Sequence, residues 1–376
     1  FQVLASVAGR GPVVMLASAE ESLSQVRARA GRLGIVPGSL LALDDPDVAR
    51  IEDAVARHQP ALVVVDSLQS VSDPELAQPA GSLAQVRACV ERLTRLAKAS
   101  GVPIVLVGHV TKDGDLAGPR AVEHMVDTVL SFDGDRHHAL RVLTAVKHRF
   151  GPAGEVGIFE MRDDGLCALP DPGPLMLGDR MAGVPGSVVV PVLQGRRPLL
   201  VEVQALLGPG RGPGASLRPQ ALGIDAARAN LLVAVLACRT DVPVPAVAEL
   251  FVAVVGGIAV SEPAADLGVA LALASVVTGR PVPPDLVAFG ELGLAGEVRM
   301  VAGADRRLAE AARAGFTRAL VPASSTASAG QPPAGMAVCG VRTLGEALDL
   351  VDSAASPGDA PGTMPGWPTP AAPASP

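Results

Sequence analysis

Apolar and polar positions along the first half of the chain fall into short runs, and the length of each run separates strands from helices. The segments ALVVVDS (61–67) and PIVLVGHV (103–110) are apolar, β-branched and too short for amphipathic helices, so they read as buried parallel strands over 61–66 and 103–109. Their closing polar residues, Asp66 and His109, are thereby delivered to one edge of a sheet, the edge at which open α/β sheets bind ligands. An Asp at such a tip, followed by Ser67, is how nucleotide-hydrolysing sheets hold Mg²⁺ beside a phosphate chain. Around these two segments the pattern predicts strands over 13–16, 40–43, 140–146 and 156–161, and helices over 21–33, 47–57 and 82–99. That βα rhythm implies a doubly wound parallel sheet with some antiparallel closing strands. Ser82 with Gln85 predicts the cap of the longest helix, the serine accepting a backbone N–H and the glutamine reaching back.

The rhythm changes after LPDPGPLMLGDRMAGVPG (169–186), whose density of Pro and Gly marks a domain boundary. The expected division is 1–170, a linker over 171–186, and a second domain over 187–352. In the second half strands are predicted over 187–193, 199–206, 250–255, 286–290 and 319–321, with helices over 226–237, 266–278 and 304–314, an α+β layered arrangement. Residues 208–214 (GPGRGPG) read as an exposed loop carrying Arg211. Residues 353–376 are almost all Ala, Pro, Gly and Ser, too poor in large apolar groups to fold, and are expected to be disordered.

Composition narrows the function only in places. No apolar run in the 376 residues reaches the eighteen or so needed to span a bilayer, and the N-terminus lacks the charged start of a signal peptide, so a cytoplasmic, membrane-free protein is expected. Cys89, Cys167, Cys238 and Cys339 form no CxxC pair; they encode neither a zinc site nor a disulfide framework and are expected to be inert core thiols. A net charge of −7 argues against a wholly basic nucleic-acid coat, although phosphate contacts need only a local stripe of cations. Lysine use says more. Of 31 basic residues only Lys98, Lys112 and Lys147 are lysines, and the last two follow predicted strands on the ligand side, where a compact ammonium differs from a guanidinium chiefly as a point charge on phosphate.

The motifs carry a family resemblance. The run from Gly108 reads GHVTKDGDLAGPRAVEHMVDTVLSFDGDRHH, residues 147–151 read KHRFG, and SAEES (18–22), RARAGRLGI (27–35) and GSLAQVR (81–87) stand upstream. Together they resemble the bacterial RadA (Sms) DNA-repair family over roughly residues 1–350. The resemblance implies a RecA-like doubly wound parallel sheet followed by an α+β Lon-protease-like domain. It places Glu20 as the acid that polarises the attacking water, with Glu21 the alternative and a helix-start acid the plain reading of either. It makes Asp66 the carboxylate on Mg²⁺, and His109 the group that senses the γ-phosphate, or else a satisfied polar plug at a strand end. The segment Lys147, His148, Arg149, Phe150, Gly151 stands where the family has KNRFG. There the lysine and arginine act across a subunit interface on a neighbour's nucleotide; a basic strand edge that resists unwanted pairing is the simpler alternative. Lys112 and Arg120 correspond to the DNA-facing loop at the centre of RecA-like rings, where cations meet phosphates without reading bases.

In the second domain the resemblance aligns the Lon nucleophile with Ala264 in EPAAD and the Lon lysine with Asp305 in AGADRRL. Without hydroxyl or amine there is no acyl-enzyme, so the expected domain is a scaffold and not a protease, used for ring assembly and DNA contact with help from Arg211, Arg218, Arg228 and Arg306. The implied cofactors are ATP and Mg²⁺, and the implied partners are single-stranded and branched DNA, the RecA recombinase and further copies of the chain in a ring, a hexamer by analogy. The family also begins with a four-cysteine zinc finger and a GxxxxGK[ST] loop. Neither is in these residues, so zinc is not expected and the chain reads as a fragment cut inside the ATPase core, unable to hydrolyse ATP alone. A non-hydrolysing DNA-bound scaffold assembled through the Lon-like domain is the alternative function.

Overall fold

A computed structural model describes residues 1–18, 20–33, 38–109, 121–134, 140–208, 219–245, 249–326, 330–354 and 367–368. By contact the chain divides into two units, one of residues 1–131, 145–153 and 161–167, the other of 132–144, 154–160 and 168–376.

The first unit opens with helix α1 (Gln2–Ala8), strand β1 (Val14–Ser18), α2 (Leu23–Arg32), β2 (Leu40–Leu43), α3 (Val48–His58), β3 (Val63–Asp66), α4 (Leu83–Ser100) and β4 (Ile104–Val107). The strands form a parallel sheet in the order β2-β1-β3-β4. Alternation along β1 explains the two layers of helices. Val14 and Leu16 share one cluster with Leu4 of α1 and Val26 of α2, while Met15 and Ala17 share another with Ile51 and Val55 of α3 and Val86, Cys89 and Leu93 of α4. Side chains of period two along a strand therefore meet helices on both faces, which is the doubly wound arrangement.

Helix α4 departs from the expected cap. Ser82 Oγ does accept the Gln85 N–H at 3.4 Å, but the Gln85 side chain does not reach back to the cap. Its amide is buried and turns instead to the preceding loop: Nε2 donates to the carbonyls of Asp73 (3.0 Å), Leu76 (3.3 Å) and Gln78 (2.8 Å), and Oε1 accepts from Asp73 N (2.8 Å). The backbone groups of this loop that face the buried amide need partners, and one glutamine offers both donors and an acceptor for that purpose. The reciprocal cap lies on α2, where Ser22 N donates to Gln25 Oε1 at 3.0 Å.

Strands β5 (Thr128–Asp133), β6 (Leu140–His148), β7 (Val156–Arg162) and β8 (Gly165–Ala168) form a second sheet in that order, with β6 and β7 antiparallel. In the segment expected to be a linker, α5 (Gly173–Leu177) forms and buries Met176, so this stretch contributes to the core of the second unit.

The second unit continues with β9 (Ser187–Gln194), β10 (Arg197–Gly208), β11 (Gln220–Leu222), α6 (Ala226–Arg239), β12 (Glu249–Val254), α7 (Asp266–Thr278), β13 (Leu286–Ala288), β14 (Glu291–Leu292), β15 (Val298–Arg299), α8 (Ala304–Arg313), β16 (Arg318–Pro322), α9 (Ala323–Thr326), β17 (Ala337–Val341) and α10 (Leu344–Ala354). Its main sheet has the order β11-β12-β10-β9-β13-β16-β17, antiparallel from β12 through β9 and parallel from β9 to β17. Helix α7 is buried on every side over residues 266–275 and largely apolar there, the expected state of a helix at the centre of a core. It lies close to β9 because Gly268 has no side chain; a Cβ there would come within 2.3 Å of Val190 Cγ2.

Two composition-based expectations need correction. Cys89 is a core thiol, pushed up to about 11 by burial, whereas Cys238 is exposed and Cys167 and Cys339 are half-buried, so the cysteines are not all interior. The terminal helix α10 extends to Ala354, past the expected start of the tail, and Trp367 packs against the second core with Nε1 donating to Leu350 O at 3.4 Å and its ring under Arg318.

Candidate functional site at the edge of the parallel sheet

Strands β1, β3 and β4 run parallel, so their C-terminal ends lie along one edge, and Glu20, Asp66 and His109 follow or close those three ends. The turn after β3 joins them. Ser67 Oγ donates to Glu20 Oε1, and Ser70 Oγ donates to the same oxygen at 2.8 Å. Glu20 Oε2 lies 3.9 Å from His109 Nε2. Gln69 Nε2 donates to His109 O at 3.1 Å, and Leu68 N donates to Val107 O at 2.8 Å, which ties the turn to β4. The Asp66–Ser67 peptide is cis. The hydroxyls of Ser67 and Ser70, more than the nearby His109, hold the Glu20 carboxyl below its ordinary range against a partial desolvation that works the other way.

Neighbouring acids take different partners. Glu21 forms an ion pair with Arg29 of α2, and its N–H donates to Ser18 Oγ at 3.2 Å, so its charge is spent on its own helix. Glu20 alone of the two turns to the β3 edge. The carboxylate of Asp66, half-buried, accepts no hydrogen bond from the described residues, and its lone pairs suit a hard cation. Among the described residues no group of three or more His, Cys, Asp or Glu could hold a metal ion. Mg²⁺ bound through one carboxylate and substrate phosphates needs no such group, so the donor set fits.

Lys147, His148 and Arg149 are not joined to this cluster. Each of the three grips residues 123–128. Lys147 Nζ donates to the carbonyls of Glu123 (2.9 Å) and Val126 (2.8 Å), His148 Nδ1 lies 3.0 Å from Thr128 Oγ1, and Arg149 Nη1 pairs with Asp127 Oδ1 at 3.0 Å. Arg149 N also donates to Asp127 O at 2.9 Å. Phe150 is exposed, and a Cβ at Gly151 would come within 2.6 Å of the His148 ring. Lys112 and Arg120, like Arg211 and Arg218, lie outside the described residues.

In the second unit Ala264 is buried in a tight turn (Pro263–Ala265), and Asp305 is exposed in the first turn of α8, where negative charge is favoured. Arg228 and Arg306, expected on a DNA-facing surface, have other partners: Arg228 forms a bidentate pair with buried Asp266, and Arg306 Nη1 donates to Arg196 O at 2.7 Å. Sequence reading singled out Ser67 beside Asp66 but missed Ser70 and Gln69 as parts of the site. Their polar side chains directly after a strand-end Asp were the available signal.

In class this is a parallel α/β domain with acids and a histidine along its ligand edge, and a model of the AAA domain matches residues 5–115. A model of subunit ChlI of Mg-chelatase matches residues 256–325. The DNA repair protein RadA of Bacillus subtilis (strain 168) is 43% identical over 348 residues, covering 93% of this chain and 75% of that protein. The DNA repair protein RadA of Mycobacterium tuberculosis (strain CDC 1551 / Oshkosh) is 45% identical over 348 residues, 92% and 71% of the two chains. The one from Streptococcus pneumoniae (strain ATCC BAA-255 / R6) is 41% identical over 338 residues, 90% and 80%. A crystal structure of the RadB recombinase overlays at a TM-score of 0.34 and 20% identity, covering 44% of this chain and 82% of that one, too weak a likeness to argue from. The chain belongs to the DNA repair protein RadA family.

Proposed function

We propose that this chain is the core of a RadA-type DNA-repair ATPase, in which DNA-dependent ATP hydrolysis drives the processing and branch migration of recombination intermediates alongside the RecA recombinase. The observation that supports this reading most is the gathering of Glu20, Asp66 and His109 at the ends of three adjacent parallel strands. Asp66 would hold Mg²⁺, which when bound offsets charge on the transferring phosphoryl group. Glu20, kept ionised by Ser67 and Ser70, is a weak base; it acts by accepting a hydrogen bond from the attacking water and aiming it, rather than by removing its proton early. His109 stands beside it as the side chain that meets the terminal phosphate.

Arg149 is the better placed of the two cations for a role across a subunit interface. Its side chain is 66% exposed and pairs with a single carboxylate, whereas the Lys147 ammonium is committed to two carbonyls of its own chain. The second domain, 187–352, is proposed as a Lon-like scaffold without protease chemistry, since Ala264 offers no hydroxyl. Lys112 and Arg120 are proposed to contact DNA phosphates within a ring of identical chains, a hexamer by family analogy.

The test is phosphate release with and without single-stranded DNA, measured for this chain and for the chain extended upstream to include a GxxxxGK[ST] loop. DNA-stimulated release by the extended chain, reduced about 100-fold or more by Glu20→Gln and by Asp66→Asn, supports the ATPase. DNA binding and self-assembly without any release would replace it by the non-hydrolysing scaffold.

A further inference from the structure

We propose that Ser67 and Ser70 are positioning residues that anchor one oxygen of Glu20 and leave the other as the only one presented to the attacking water. The inference rests on the reading of Glu20 given above and deepens it.

Protons and lone pairs decide which oxygen of Glu20 is taken. A serine hydroxyl has one proton to donate. Ser67 Oγ and Ser70 Oγ each give theirs to Glu20 Oε1, so the 3.1 Å approach of the two hydroxyls to each other is not a third bond made by the same protons. Two donors saturate Oε1. Oε2 receives none of these bonds and lies 3.9 Å from His109 Nε2, a separation too long for a direct hydrogen bond but suited to a group placed between them.

The anchors themselves are fixed. Ser67 is wholly buried, and the turn is closed by Ser70 N donating to Ser67 O at 3.1 Å. Leu68 N on Val107 O and Gln69 Nε2 on His109 O then tie the same turn to β4. One four-residue turn, Ser67 to Ser70, therefore sets both the direction of the Glu20 carboxylate and the backbone of His109. A carboxylate with both oxygens free would rotate among several orientations, and catalysis that depends on aiming water is sensitive to errors of that size.

Ser70 carries the test because it is only half-buried, and its replacement leaves the core intact. In this chain, with its glutamates labelled at the side-chain carboxyl carbon, the Glu20 signal is assigned by its disappearance in Glu20→Gln. Its titration midpoint is expected to rise in Ser70→Ala and to return in Ser70→Thr, which restores the hydroxyl. In the extended, hydrolysing chain Ser70→Ala is expected to lower kcat about 10-fold with KM for ATP within about twofold, again with recovery in Ser70→Thr. If Glu20→Gln hydrolyses at the parental rate, the reading of Glu20 itself is overturned and this inference falls with it. If Glu20→Gln abolishes hydrolysis while Ser70→Ala alters neither kcat nor the titration, the positioning role is overturned and the ATPase reading stands.

Discussion

Arg307 and Glu262 meet through two parallel hydrogen bonds, Nη1 to Oε1 at 2.8 Å and Nη2 to Oε2 at 2.7 Å, with the arginine side chain 1% exposed. Two further donors of the guanidinium reach Pro191 O and Ala302 O, and Glu262 Oε1 also accepts from Leu193 N. This fork therefore ties α8 to β9 and to the turn that holds Ala264.

Removing one partner of that pair leaves an uncompensated charge at a buried site. Glu262→Ala and Arg307→Ala are each expected to cost about 3–5 kcal/mol, read as the shift in the urea midpoint at constant slope, while Arg307→Met combined with Glu262→Leu recovers most of the loss. Recovery no better than either single change would mean that the pair is not where the energy lies.

Gln85 satisfies four backbone groups of residues 73–78 with one amide. Gln85→Ala strands the buried N–H and carbonyl of Asp73, each costing about 1–3 kcal/mol, so a loss of at least about 2 kcal/mol is expected. Limited proteolysis checks the location, because new cleavage should fall within 73–78.

The grip of Lys147 on Glu123 O and Val126 O should be visible in hydrogen exchange. Charge-assisted bonds of this kind are worth about 1.5–3 kcal/mol, so Lys147→Met is expected to speed exchange of the amides of residues 123–128 by about tenfold or more. Unchanged exchange there would show that Arg149 and His148 hold the segment without it.

Asp171 meets Arg313 through bonds of 2.8 and 2.9 Å and accepts from Gly173 N at 3.0 Å; the Arg313 pairing, ahead of the Gly173 bond, holds its carboxyl down at about 2. With the folded value depressed below the unfolded one of about 3.9, the stabilisation is present above that value and is lost as pH falls toward about 2. Both side chains are about half exposed, so screening keeps the effect to about 0.2–1 kcal/mol. Asp171→Asn should remove that increment of acid sensitivity, and added salt should shrink it in the parent chain.

The strands and helices were largely legible because each is governed by neighbours in sequence. Strand β2 and helix α7 have the bounds their apolar patterns predict, and β3 ends at Asp66 as its polar closing residue implies. Strand β5 was not legible: its apolar positions at Val129, Leu130 and Phe132 are half-buried or exposed, so no clean period announces it. Strand β17 and helix α10 were also missed, since their burial against β16 and α7 is a property of the packed sheet.

The sequence by itself determined the alternation of elements, the delivery of Asp66 and His109 to a ligand edge, and membership of a family through motifs long enough to exclude chance. Only the tertiary structure decided which side chain goes to which partner. Glu20 and Glu21 are adjacent and chemically alike, yet one faces Ser67 and Ser70 and the other Arg29. Gln85 leaves the cap for the 73–78 loop, and Lys147 turns to the carbonyls of its own chain. The physical reason is range: strand and helix preferences act over a few residues, whereas a hydrogen bond is awarded by whichever donor or acceptor the packed chain brings within about 3 Å, however distant in sequence.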